Sequence, residues 1–198
     1  MLNSSQNMKG ILLAGGRGSR LAPMTNVVSK QLLPVYDKPM IYYPLVTLMQ
    51  ANIRDVLLIA TPEYLSGYQQ LLGTGKQWGI QLHYAEQPSP DGLPQAFRIG
   101  ADFLDQASVM LLLGDNIFFG NTFENRLAQV AQFSSGATVF SIPHRQPGNY
   151  GVVELGPSQE IFSLEEKPQQ PKSDQVITGA YIFDSRVVEF AKMLHPSD

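Results

Sequence analysis

Four short apolar runs constrain this chain most: Lys9–Ala14 (KGILLA), Asp55–Ala60 (DVLLIA), Ser108–Leu113 (SVMLLL) and Ala137–Ile142 (ATVFSI). Successive side chains of a strand face opposite ways, so a run that does not alternate is buried on both faces, as in parallel sheets. Stretches of helical spacing lie between the runs. Leu93, Ala96, Phe97, Gly100, Ala101 and Leu104 recur at three- and four-residue steps, and Pro94 suits a first helical turn. Phe123, Leu127, Val130 and Ala131 repeat the pattern, with Asn121 and Glu124 at capping-box spacing. Residues 40–51 read as another helix in which Pro44 is expected to interrupt an interior turn. A further strand is expected at Gln81–Glu86. Strands alternating with helices predict an α/β domain with a doubly wound, mainly parallel, Rossmann-like sheet.

After about residue 145 the rhythm changes. Tyr150–Leu155, Glu160–Glu165 and Val176–Phe183 look like strands with little helix between them, and a helix starts near Arg186. They predict a β-rich layer over one edge of the sheet. The 198 residues thus read as one core, about 9–145 forming the α/β part and about 146–185 the β-rich part.

Composition excludes several classes. With 43% hydrophobic and 16% charged residues and a net charge of −3, the chain lacks the basic excess of a nucleic-acid binder. It has no cysteine, so neither a disulfide framework nor a thiolate metal site can form. No apolar run approaches a membrane span, and residues 1–8 lack a secretory apolar segment. A cytoplasmic protein with no membrane partner is expected. The charge distribution is uneven: Lys9, Arg17, Arg20 and Lys30 precede the first acidic residue, Asp37. That pattern fits either chance or a small anion site.

The first strand runs into Gly15-Gly16-Arg17-Gly18-Ser19-Arg20. Glycines let backbone N–H groups approach phosphate oxygens closely, and Arg20 adds a permanently charged fork that Lys30 could join. The alternative is a plain tight turn. The spacing is neither a P-loop nor the dinucleotide G-x-G-x-x-G fingerprint, whose third glycine would fall at Leu21. Asp115 follows Gly114 directly after an apolar run, where an open α/β sheet places its ligands; it could hold a metal or only cap a turn. Pro88–Asp91 after Gln87 needs only to be a turn, and the adjacent Glu166-Lys167 is ordinarily a solvated surface pair. His83, His144 and His195 show no metal or catalytic spacing, while Trp78, Tyr42 and Tyr43 read as packing residues.

Taken in order, Leu13–Leu21 (LAGGRGSRL), Ser29–Pro34 (SKQLLP), Val35–Leu45 (VYDKPMIYYPL), Gln87–Leu93 (QPSPDGL) and Leu113–Asn116 (LGDN) form a series. Tyr150–Glu154 (YGVVE), Ser163–Pro168 (SLEEKP) and Thr178-Gly179 complete it. The series resembles the sugar nucleotidylyltransferases, and within them the glucose-1-phosphate thymidylyltransferases, over essentially residues 9–198. The resemblance implies single-step, in-line transfer from dTTP to glucose 1-phosphate with Mg²⁺, as in dTDP-rhamnose biosynthesis. It implies a nucleotide site at Leu13, Gly15, Gly16, Gly18, Ser19, Gln31, Gln87 and Gly92, with Gln87 on the pyrimidine and Gly92 letting the base approach. Arg20, Lys30 and Lys167 would be catalytic and Asp115 the metal ligand. Asn116, Gly151, Glu166, Lys167 and Ile177 would form the sugar-phosphate site. Relatives of that kind are homo-oligomers that continue past the position of Asp198, with a second metal-binding carboxylate, so a core lacking the C-terminal part of the family fold is expected. A preference for UTP or another sugar phosphate, and a binding-only module, remain alternatives. A dinucleotide-dependent oxidoreductase is disfavoured because its glycine fingerprint is missing.

Overall fold

The computed structural model describes residues 8–16, 18–89, 91–120, 123, 125–127, 133–158 and 160–194. Arg17, Asn121, Glu124, Val130, Ala131 and His195, all singled out above, lie outside them. Strand β1 (Lys9–Leu13) leads through short 3-10 turns and a two-stranded hairpin, β2 (Pro34–Val35) and β3 (Lys38–Pro39), to helix α1 (Tyr42–Gln50). Then come β4 (Asp55–Ala60), α2 (Pro62–Leu72), β5 (Gln81–Glu86), α3 (Pro94–Ile99), α4 (Ala101–Leu104) and β6 (Val109–Leu113). The remainder comprises β7 (Ala137–Pro143), β8 (Gly151–Leu155), β9 (Ile161–Glu166), β10 (Gln175–Phe183) and a last helix, α5 (Val187–Met193).

The sheet has eight strands. Its path runs β5-β4-β1-β6-β10-β8-β9, and β7 pairs with β10 off that path. Pairings among β5, β4, β1 and β6 are parallel, as their unbroken apolar runs predict. The two-residue period sorts those strands onto two cores. Leu12, Val56, Leu58, Met110 and Leu112 pack with Leu45 and Leu48 of α1 and Leu65, Tyr68 and Leu72 of α2. Their neighbours Ile11, Leu57, Ile59, Val109 and Leu111 pack with Ala96 and Phe97 of α3, Leu104 of α4, and Val187 and Ala191 of α5. Helices therefore cover both faces, and the sheet is doubly wound.

Three expectations need correction. Ala137–Ile142 is not another parallel strand: β7 runs antiparallel to β10 from Gln175↔Pro143 to Phe183↔Ala137. None of its residues is fully buried, so an apolar run at a sheet's margin looked like one at its centre. Pro44 interrupts nothing, because α1 begins at Tyr42 and the proline falls in the first turn, whose N–H groups have no partner within the helix. The helix over 93–104 is broken at Gly100, where a Cβ would lie 3.1 Å from the Ala96 carbonyl and from Ile11 Cδ1. Bare backbone at that point lets the helical segment lie close on β1 and β4.

The β-rich part is an extension of the sheet. β10 pairs with β6 through Ala180–Phe183 and with β8 through Val176, while its ladder with β7 shifts register between Ile177 and Tyr181. A single strand thus belongs to both halves. Trp78 packs edge-to-face on Tyr42 with ring centroids 5.8 Å apart, the packing role expected for both.

Candidate active site

In the parallel part, β1 connects to β4 on one side while β6 returns on the other, so the strand order reverses between β1 and β6. Beyond the carboxyl ends of strands at such a reversal lies the usual ligand crevice of an open α/β sheet. The glycine loop leaves β1 there, and Gly114-Asp115 leaves β6 beside it, with the Gly114 N–H donating to the Leu13 carbonyl at 2.8 Å.

The loop's glycines serve distinct purposes. Gly18 sits at φ 60°, a left-handed conformation, and its carbonyl accepts from Thr25 Oγ1 at 2.8 Å. A Cβ on Gly15 would lie 1.9 Å from Gln87 Oε1, so the Gln87 carboxamide rests directly on the Gly15 backbone. Gly16, Ser19 and Arg20 are exposed, and Arg20 has no ion-pair partner among the described residues. The loop therefore presents backbone and a free cation to the crevice.

Lys30 and Asp115 are brought together from 85 residues apart. Lys30 Nζ donates to Asp115 Oδ2 at 2.9 Å, each side chain about one-third exposed. Asn116 Nδ2 donates to the other carboxylate oxygen at 3.0 Å, and the Gly179 N–H of β10 donates to Asn116 Oδ1 at 3.0 Å. A Cβ on Gly179 would lie 2.7 Å from the Asn116 amide, which would then have to shift. A hydrogen-bonded chain Lys30–Asp115–Asn116–Gly179 thus crosses from the glycine-loop side to the β-rich side.

On that far side Gly151 pairs with Glu166 across β8 and β9. A Cβ on Gly151 would lie 3.2 Å from Glu166 Oε2 and 3.5 Å from Ile177 Cδ1, so three of the expected sugar-site residues cluster. Glu166 closes β9, and Lys167 follows at φ 43°, its N–H donating to the Tyr150 carbonyl at 3.0 Å. Lys167 Nζ stands 3.5 Å from Glu166 Oε1, both largely exposed. Burial, and then the Glu166 charge, raise the Tyr181 phenol above its ordinary range. No contact among the described residues joins Arg20 or Lys167 to Asp115.

Gln31 faces inward. It is buried, its Oε1 accepts from Ser29 Oγ at 2.6 Å and Tyr68 OH at 3.3 Å, and Nε2 lies 3.9 Å from where a Gly16 Cβ would be. Burial pushes the Tyr68 phenol up to about 12, so it stays a protonated donor. Ser29, Tyr68 and Thr25 brace the loop from behind; Ser29 opens the SKQLLP segment, while nothing in the sequence neighbourhood of Tyr68 or Thr25 marks them. Gln95 was also missed, and it accepts from Gln87 Nε2 at 2.7 Å. Gly92 adopts φ 90° and is exposed at the mouth of the Gln87 loop.

Among the described residues no group of three or more His, Asp or Glu side chains could hold a metal ion. Asp115 alone fits a divalent cation of the kind bound by one or two carboxylates together with substrate phosphates.

The model of the nucleotidyl transferase family matches residues 9–198. The chain belongs to that family. This nucleotidyl transferase chain is 58% identical over 190 residues to the glucose-1-phosphate thymidylyltransferase of Neisseria gonorrhoeae, covering 96% of the chain and 66% of the relative. It is 52% identical to the enzyme of the same name from Mycobacterium tuberculosis H37Rv, again with 96% and 66% covered. It therefore spans just under two thirds of the length of these relatives. A glucose-1-phosphate thymidylyltransferase of Bacillus anthracis, crystallised with sucrose, superposes with a TM-score of 0.88 at 37% identity, covering 96% of the chain and 76% of that structure. A UDP-glucose pyrophosphorylase complexed with UDP-glucose shares the fold at TM-score 0.81 and 20% identity, with 96% and 81% covered.

Proposed function

We propose that the nucleotidyl transferase core joins dTTP and glucose 1-phosphate, giving dTDP-glucose and diphosphate by one in-line displacement. One observation carries the reading: Lys30, Asp115, Asn116 and Gly179 form a hydrogen-bonded bridge at the switch point, between the glycine loop and the Gly151–Glu166–Ile177 cluster. That bridge stands where a nucleotide phosphate and a sugar phosphate would meet. The close relatives supply the substrates by name.

The nucleophile is a phosphate oxygen, already anionic at neutral pH, so no general base is required. The difficulty is bringing two anions together and holding charge on the leaving diphosphate. Arg20 and the loop N–H groups at Gly15, Gly16, Gly18 and Ser19 would hold the terminal phosphates beside the Leu13 end of β1, with Gln31 bracing the loop. Lys30, one-third exposed, turns from Asp115 to a phosphate oxygen. Lys167 orients the attacking sugar phosphate, while Glu166, Asn116, Gly151 and Ile177 receive the sugar. Gln87 and Gly92 meet the base. Asp115 is the residue to hold Mg²⁺, which when bound neutralises phosphate charge. Residues 9–145 would then serve the nucleotide and 146–185 the sugar, the rate gain coming from orientation and charge stabilisation.

Diphosphate release from dTTP with glucose 1-phosphate, run beside UTP, tests the reading. Asp115→Asn should cut turnover on the order of a hundredfold or more, since loss of one well-placed charged group has that scale. Its Mg²⁺ dependence should weaken while its melting transition stays intact. Unchanged activity and Mg²⁺ dependence would overturn the metal assignment.

A further inference from the structure

Gln87 is 2% exposed, yet its Oε1 takes no hydrogen bond from any described residue. This oxygen rests on the Gly15 backbone and is not among the sealed, partnerless polar atoms, so it remains open to a donor. Which end of this symmetric-looking carboxamide faces the crevice depends on its neighbours. Here the neighbours decide it. The Asp91 backbone N–H, which can only donate, gives its proton to Gln95 Oε1 at 3.1 Å. The Asp91 carboxylate, acceptor-only when ionised, receives Gln95 Nε2 at 3.2 Å through Oδ2. Ser89 Oγ, at 2.7 Å from both carboxylate oxygens, holds that carboxylate in place. Gln95 is therefore fixed at both ends and offers Oε1 alone to Gln87. Gln87 must answer with Nε2, at 2.7 Å, which leaves its Oε1 over Gly15.

We propose that Gln95 is a specificity-determining residue: by accepting from Gln87 it fixes the polarity of the Gln87 carboxamide and so selects a pyrimidine with a ring N–H beside a carbonyl. This rests on the reading that Gln87 meets the nucleobase. Fixed this way, Gln87 accepts through Oε1 and donates through the second hydrogen of Nε2, the complement of the thymine N3–H and O4 pair. Cytosine presents the reverse order, an acceptor at N3 and an amino donor at C4. A freely turning glutamine would accommodate either base; one held by Gln95 leaves cytosine facing two mismatched groups, which is discrimination by repulsion as well as attraction. Gln95 touches no substrate in this scheme. It is a positioning residue, and a purely structural role would change affinity for all nucleotides alike.

The test is equilibrium binding of dTTP and dCTP to the 198-residue chain and to its Gln95→Met, Gln95→Lys and Gln87→Ala variants, with a thermal melt of each. Gln95→Met frees the Gln87 carboxamide, and the dTTP-to-dCTP affinity ratio should fall by about tenfold or more, the scale of losing a matched polar contact. Gln95→Lys offers a donor in place of the acceptor, so Gln87 should reverse and the ratio should swing further toward dCTP. Should the methionine variant fail to melt cooperatively, the lysine variant carries the test alone. A ratio unchanged in the folded Gln95 variants, while Gln87→Ala weakens dTTP binding, overturns the proposal and leaves the base-reading role standing. Undiminished dTTP affinity in Gln87→Ala overturns the base-reading role itself.

Discussion

At the scale of single residues, the contact of Gly15 with Gln87 leaves no room for an additional atom. Gly15→Ala would place a methyl 1.9 Å from Gln87 Oε1, so the carboxamide must leave the loop backbone. The expected result is a stability loss of about 1–3 kcal/mol, the usual cost of overpacking, read from denaturant unfolding. Calorimetric dTTP affinity should fall in step, since Gln87 can no longer present its oxygen. The glycine loop and Asp115 stand out in the sequence because each sits just past an apolar run, whereas only the family resemblance singles out the Glu166-Lys167 pair. The inward turn of Gln31 onto Ser29 and Tyr68, and the coupling of Gln87 to Gln95, could not be found there. A carboxamide's direction is set by partners distant in the chain or by a neighbour's hydrogen bonds, and residue type alone does not encode either.

Among the elements, the long apolar strands were legible, and so was their direction except in β7. β1, β4 and β6 read correctly as parallel because both faces are buried, whereas β7, equally apolar, is antiparallel and only half-buried. Its pairing is decided by β10, forty residues later. The junction that follows β10 has a measurable signature. Asp184 accepts from the Gly136 N–H at 2.6 Å, just ahead of β7, and from the Arg186 backbone N–H and guanidinium at the start of α5. The Arg186 guanidinium beside it holds the carboxyl at about 2, below its ordinary 3.8. A depressed folded-state value stabilises in full above about pH 4 and is lost as pH falls toward 2. Asp184→Asn should destabilise the chain at neutral pH by about 1–3 kcal/mol, the scale of weakened charge-assisted bonds, and so lower its melting temperature. The gap to the unmodified chain should close between pH 4 and pH 2, as followed by circular dichroism.

For the whole molecule, the doubly wound architecture followed from alternation of strand and helix patterns. That the β-rich part continues the same sheet did not follow, because nothing in residues 175–183 announces a strand with partners in both halves. The surface has a consequence of its own. Phe119 is fully exposed, and Phe162, Phe190 and Met193 expose more than half of their surface. Phe119 follows β6, Phe162 lies on β9, and Phe190 and Met193 lie on α5; exposed side chains of that size are the substance of association surfaces. The 198-residue chain is expected to bind an apolar dye while folded and to sediment faster as its concentration rises. A concentration-independent monomer with no dye signal would show that these residues are accommodated individually.

β10 is hydrogen-bonded to β6 at one end and to β8 at the other, so among the described residues the parallel part and the β-rich part share one continuous sheet. A clamshell closure would have to shear one of those ladders, and backbone ladders in a buried sheet are among the last parts of a protein to open. If Lys30 and Lys167 meet the substrates as proposed, their adjustment would be a movement of side chains over a continuous sheet. A frame made this way resembles a jig more than a jaw: the alignment of its two parts is inherited from the register of a single strand.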